Sequence, residues 1–249
     1  MLVPGLGQGF QPLITDDTGT QGARGNQIEV AYSRAEDKEA GVRTVTHYVP
    51  LVYTRGITDA LDLYAGSIYQ RIAPPGPSSD DRGWSNTAIG AKWRFYENEA
   101  RKLSFALKPQ VLLPVSKARE ARGLGTARAS YSAGLLATQE TVFGTVHANL
   151  AVEHIDYADG ALDAAERRTR YRASVAPVWD VTPHWKLALD AGVATNPDPA
   201  AHRYFAYGEL GTIYAPVKNF EFALGVIRNF RDGSVRTTQA ILGLTWRFR

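Results

Sequence analysis

Alternating oily and wet positions organise this chain, most plainly in its last stretch, residues 237–249. Ala240, Leu242, Leu244, Trp246 and Phe248 share one parity, while Gln239, Gly243, Thr245, Arg247 and Arg249 share the other, with Ile241 the exception. Side chains alternate faces along an extended strand, so the parity predicts a strand with one apolar and one wet face. Two aromatic residues close the apolar side. Rings gather where hydrocarbon meets water, which suits a membrane barrel and serves no purpose at the open end of a soluble sheet.

The pattern starts at Ile28, Val30 and Tyr32 and recurs about every twenty residues. Short connections are expected at 54–60, 97–102, 138–141, 180–184 and 215–219, and mostly longer, more polar ones at 36–41, 73–83, 115–126, 156–167, 196–202 and 231–234. Tight turns on one side and longer loops on the other are the rhythm of an outer-membrane barrel. The predicted fold is all-β: a transmembrane antiparallel up-and-down barrel of about twelve strands over residues 26–249. An irregular leader over residues 1–25 precedes it, as a periplasmic tail or partial plug.

Aromatic residues sort by height. Tyr53, Phe95, Trp179, Trp185, Tyr214, Phe220, Trp246 and Phe248 flank the short turns or the C-terminus, and Tyr32, Tyr69, Tyr171 and Tyr204 lie near the long loops. Pro50, Pro109 and Pro177 fall inside strands, where each removes a ladder donor, so local bulges are expected there.

Composition narrows the alternatives. The 249 residues suffice for one large β domain, and no apolar run approaches the ~20 residues of a membrane helix. There is no cysteine for disulfides or thiolate metal sites, and His154, His184 and His202 have no metal-ligand spacing. No cofactor is expected. A net charge of +3 without a basic run gives no case for nucleic acid. The first ten residues do not read as a secretory signal, so a barrel in the bacterial outer membrane requires that a signal has been removed.

The wet parity gives the inner wall. Its bases are Lys92, Arg94, Lys108, Arg128, Arg170, Arg172, Lys186 and Arg247; its acids are Glu29, Asp62, Glu153, Asp190, Glu209 and Glu221. Lys92, Lys108, Arg172 and Lys186 fall at middle depth. They make a basic constriction for anionic or polar aromatic solutes, or else a lumen knitted shut by pairs such as Lys186–Glu209 and Arg172–Asp190. Asp16 and Asp17 give the leader negative charge, which a basic lumen mouth attracts; Arg94, Arg247 and Lys186 are the expected partners.

A hydrolase is the second reading. If the turn after the sixth strand lies at 138–141, Ser132 faces His147 and Ser130 faces Asn149, a set with nucleophile, base and orienter. The plainer account is lumen hydrogen bonding. A non-conducting structural barrel is the third reading. The Asn196-Pro197-Asp198-Pro199 loop reads as a turn rather than a calcium site.

PLITDDTGTQG (12–22), NQIEVAYS (26–33) and LVYTRGITDALDLYAG (51–66) resemble the meta-pathway phenol-degradation family of outer-membrane proteins, over nearly the whole chain. The resemblance implies a non-enzymatic barrel that carries aromatic or other small organic compounds, with outer-membrane lipid and a small-molecule solute as partners. The ending also resembles the terminal recognition signal of barrel proteins, with Arg249 following Phe248. It implies the barrel-assembly machinery as a partner during biogenesis.

Overall fold

The computed structural model describes residues 12–39, 41–73, 80–230 and 235–249. Twelve strands run in chain order: β1 (Asn26–Glu39), β2 (Val42–Gly56), β3 (Leu61–Ala73), β4 (Asp81–Asn98), β5 (Leu103–Leu113), β6 (Ser130–Thr141), β7 (Gly144–His154), β8 (Thr169–Asp180), β9 (Trp185–Thr195), β10 (Tyr204–Val217), β11 (Phe220–Phe230) and β12 (Val235–Phe248). Two short helices, α1 (Lys117–Glu120) and α2 (Gly160–Ala165), sit in the outer connections. Each strand pairs antiparallel with its sequence neighbour, and β1 closes on β12 from Asn26 opposite Phe248 to Glu39 opposite Val235. Closure leaves no edge, which a sheet surrounded by lipid requires.

The oily parity faces out. Leu63, Ile89, Leu150, Leu189, Leu224 and Leu242 are all exposed, as a lipid-facing wall demands. At the short-turn end the aromatic residues stack in a belt: Trp185 lies 4.5 Å from Tyr214, Phe220 5.9 Å from Trp246, and Trp246 4.5 Å from Phe248 between ring centroids. At the opposite end Tyr69 meets Trp84 at 5.6 Å. Ile241, the exception in the last strand, faces in. It joins Ala31, Phe205, Tyr207, Ile227 and Ile14 in a buried apolar patch on the inner wall.

Several expectations need correction. The turn expected at 138–141 is strand: β6 continues to Thr141 and the chain reverses at Val142 and Phe143. Ser132 therefore lies opposite Glu153 rather than His147, and His147 lies opposite Thr138, while Asn149 faces Leu136 rather than Ser130. Val142 and Phe143 are both apolar and read as strand, which hides the turn. The connection expected at 36–41 is mostly strand as well, since β1 reaches Glu39 and β2 begins at Val42. Arg128 precedes β6 and is exposed in the outer connection, so it is not an inner-wall residue. The connection expected at 231–234 lies outside the described residues.

The prolines do not make bulges where these were expected. Beside Pro50, Pro109 and Pro177 the ladder skips pairs on one side and resumes in the same register. A missing donor thus costs a local gap without an inserted residue. Extra residues appear elsewhere: at Ser85–Asn86 and at Phe95 on β4, and at Ala215–Pro216 on β10.

Two tyrosines fill the bore by lying flat over glycines. A Cβ on Gly90 would stand 2.3 Å from the Tyr64 phenol oxygen, and one on Gly192 would stand 2.5 Å from that of Tyr207. Gly192→Val must therefore displace the Tyr207 ring and is expected to lower stability by ~1–3 kcal/mol, the cost of overpacking. The denaturant midpoint in detergent reads this directly, with Gly192→Ala showing a smaller shift of the same sign.

Candidate functional site

Residues 12–22 run through the lumen against the inner wall. They have no strand partner, so their polar backbone atoms find side chains instead. Thr15 N–H donates to Asp190 at 2.6 Å, and the Thr15 hydroxyl donates to Asp190 at 2.9 Å and lies 2.7 Å from the Ser174 hydroxyl. Asn149, with its carboxamide turned to match, accepts from Asp16 N–H at 2.6 Å and donates to the Asp16 carbonyl at 2.9 Å. Thr18 N–H donates to Thr138 at 3.1 Å, and Gln21 N–H to the two oxygens of Asp62 at 3.0 and 3.1 Å. Leu13 packs on Ala176, Val178 and Ala188, and Ile14 enters the apolar patch around Tyr207.

The central charges are Lys92 and Lys108. Gly90 lies opposite Gln110 and Trp93 opposite Leu107, which carries position 92 to position 108 across β4 and β5. Their side chains are only 9% and 10% exposed. Two buried like charges face to face are unfavourable without a counter-charge. Asp16 supplies it, 2.9 Å from Lys92 and 2.5 Å from Lys108, and Asp17 adds a contact to Lys92 at 3.2 Å. The Lys108 ammonium also sits 5.0 Å from the centre of the Tyr64 ring, within cation–π range. A cavity of about 230 Å³ adjoins these residues, lined also by Gln27, Glu29, Asp62 and Arg247.

The other residues singled out in the sequence scatter from this point. Arg247 pairs with Glu221 at 2.8 Å, and Arg94 with Glu97 at 3.3 Å, so the bases that meet Asp16 are the two deeper lysines rather than Arg94, Arg247 or Lys186. Lys186 pairs with Asp180 at 3.0 Å rather than with Glu209. Asp190 is taken by Thr15, Glu209 is buried opposite it, and Arg172 forms no ion pair with Asp190 among the described residues. Arg170 binds Glu166 in the outer mouth. The Ser132 hydroxyl is 3.5 Å from Gln110, whereas the His147 ring nitrogens each lie 3.0 Å from a threonine hydroxyl, Thr138 and Thr145. No nucleophile–base pair forms from that set.

The outer mouth holds three residues that parity could not single out. Glu120, at the end of α1, accepts from the backbone N–H groups of Ala127 at 2.5 Å, Ala158 at 3.1 Å and Asp159 at 2.8 Å, tying the 114–129 connection to the next one. Asn86 donates to the carbonyls of Leu113 and Thr126 at 2.8 Å and accepts from Thr126 N–H at 2.9 Å. Arg167 donates to the carbonyls of Asn196 at 2.9 Å, Pro199 at 3.0 Å, Ala201 at 3.2 Å and also Asp198. These contacts fold the outer connections into fixed shapes and bury Leu124 completely. Each clamp is one polar residue reaching backbone atoms, so neither spacing nor periodicity marks it in the sequence.

Comparison with known proteins follows the same lines. The family described as "Putative MetA-pathway of phenol degradation" matches residues 9–248, and the chain belongs to it. No curated protein sequence matches the chain significantly. Among solved structures, the COG4313 outer membrane channel from Pseudomonas putida F1 superposes with a TM-score of 0.79 at 14% identity, covering 93% of this chain and 98% of that one. The NanC porin gives 0.61 at 7% identity (87% and 98% covered), and the KdgM porin in complex with disordered oligogalacturonate gives 0.55 at 11% (89% and 99%). The shared feature is the fold, that of outer-membrane channels and porins.

Glu120 makes the outer mouth acid-sensitive. Burial pushes its carboxyl up, but the donors from Ala127, Ala158 and Asp159 outweigh this and hold it below the ordinary value. A lowered carboxyl contributes its full stabilisation above the ordinary carboxylate range and loses it as pH falls through the lowered value. The amides of Ala127, Ala158 and Asp159 are expected to stay protected from hydrogen exchange at neutral pH and to lose protection only below that range. In Glu120→Ala, protection should be lost at every pH.

Proposed function

We propose that this barrel is a narrow, non-enzymatic channel for small organic solutes, favouring those that combine a ring with a carboxylate or another anionic group. One observation carries the reading: Lys92 and Lys108 hold the carboxylate of Asp16 between them, beside an open cavity. A subsite that accepts the chain's own carboxylate has the charge and spacing to accept a solute's. The Tyr64 ring beside Lys108 adds a flat surface, and the cavity of about 230 Å³ has room for a single ring, since ~150 Å³ is enough to hold benzene.

In this reading residues 12–22 form a partial plug. The leader and the solute compete for the same two lysines, so a solute passes when Asp16 and Asp17 give way. Charged rings tune selectivity when they are weak enough to release what they bind, and an exchangeable internal carboxylate supplies that weakness. Ester or phospholipid hydrolysis has no support from the positions of Ser132 and His147. The partners of this reading are the solute, the surrounding lipid and the barrel-assembly machinery.

Planar-bilayer recording tests it. Deleting residues 1–22 is expected to raise single-channel conductance severalfold. Asp16→Asn should raise it less and shift reversal potentials in a salt gradient further toward anions. Combined Lys92→Gln and Lys108→Gln should abolish that shift and also the block of chloride current by added benzoate. Unchanged conductance on deletion would show that the leader is not the obstruction. If neither the wild-type protein nor the deletion conducts, the protein is a structural barrel instead.

A further inference from the structure

We propose that the outward face of β12 and β1–β4, at the end away from the tight turns, docks a lipid whose sugar headgroup carries phosphate. On β1 the outward parity continues past Tyr32 as Arg34, Glu36 and Lys38. The register sets Arg236 on one side of Lys38 and Arg43 on the other, a row of three cations across three strands. Nearer the aromatic belt, Arg34 lies opposite His47, His47 opposite Arg71, and Arg71 opposite Arg82, a second row across four strands. The extra residue at Ser85–Asn86 makes this possible. Without it Trp84 and Arg82 would face the lumen; with it they stand beside Tyr69 and Arg71 on the outside.

Like charges directly opposite one another repel across a sheet, and the opposed cations Arg236–Lys38–Arg43 above and Arg71–Arg82 below are a poor arrangement for a face that binds nothing. The local acids do not balance them. Among the described residues on this face, Glu36 serves Arg43 at 2.5 Å, Lys38 at 3.1 Å and Arg34 at 3.4 Å, and Asp80 serves Arg71. Arg82 and Arg236 are exposed.

Height identifies the partner. One outward step along a strand is about 7 Å, so the lower row stands just beyond the ring of Tyr32, in the few ångströms of headgroup that flank the hydrocarbon. The upper row lies two outward steps further along β1. A ligand that meets both has anionic groups at headgroup depth and above it, and is fixed by acyl chains below, against Tyr32, Tyr69 and Trp84. A phosphorylated glycolipid of the outer leaflet has that form, and guanidinium groups suit phosphate oxygens. Among the described residues the opposite side of the barrel has no comparable rows: beside Tyr131, Tyr171 and Tyr204 its upper end carries Arg203 over the Tyr204 ring, and Arg168 is neutralised by Asp156 and Asp163.

Native mass spectrometry of the detergent-purified protein tests the assignment, with bisphosphorylated lipid A, the same lipid stripped of phosphate, and inorganic phosphate as probes. Wild type should retain the bisphosphorylated lipid at least about tenfold better than the stripped form, in a salt-sensitive manner. Combining K38Q, R71Q, R82Q and R236Q should remove that preference, while R101Q with K102Q near the tight turns leaves it intact. Equal retention of the two lipids by wild type would overturn the proposal and needs no variant to be folded. Displacement of the lipid by inorganic phosphate at equal concentration would also overturn it, leaving a site for a free anion.

Discussion

Everything in this molecule follows from the absence of water in the hydrocarbon layer. A strand there has no solvent for its N–H and C=O groups, so the sheet must close, and β1 meets β12 along its whole length. Closure fixes the pleat, and the pleat divides every strand into a lipid side and a bore side. Charged residues of the membrane-spanning part are thereby confined to the bore. Lys92 and Lys108 are the sharpest result: two cations forced to face each other, with a solution that comes from outside the sheet, in the carboxylate of Asp16.

The two mouths are narrowed by different means. On the outer side, Glu120, Asn86 and Arg167 bind backbone atoms of connections that are tethered at both ends. Moving any of them breaks several hydrogen bonds at once. Residues 12–22 run into β1, and no strand ladder holds them. Their grip is mostly side chain to backbone, plus the ion pairs of Asp16 with Lys92 and Lys108 and of Asp17 with Lys92. Segments of this kind are where local opening is least costly, so the leader is the part of the bore best suited to move while the wall stays fixed.

Parity made the wall legible from sequence. Leu242, Leu244 and Trp246 face lipid because a membrane leaves no other place for them, and the same holds for each strand that keeps strict alternation. Ile241 broke the pattern and marked a real feature, an apolar patch within the bore that Ile14 also uses. Register was less legible. Nothing in the alternation of β6 and β7 says where the chain turns when the turn itself is Val142-Phe143, and the misplaced turn put Ser132 beside His147. The partners of Asp16 were hidden for another reason: depth within a bore depends on strand tilt and stagger, which a linear pattern does not encode. The clamps of the outer mouth had no pattern at all, since one glutamate that binds three amides looks like any other surface acid.

The path of the leader also bears on the order of assembly. Thr15 binds Asp190 on β9 and Ser174 on β8; Asp16 binds Lys92 on β4 and Lys108 on β5; Thr18 binds Thr138 on β6. These partners come from opposite parts of the circumference and converge only once the cylinder exists. The full set of contacts that holds residues 12–22 therefore exists only in the closed cylinder, although these residues are synthesised before any strand. Without residues 12–22 the same wall would hold Lys92 and Lys108 face to face without the carboxylate of Asp16.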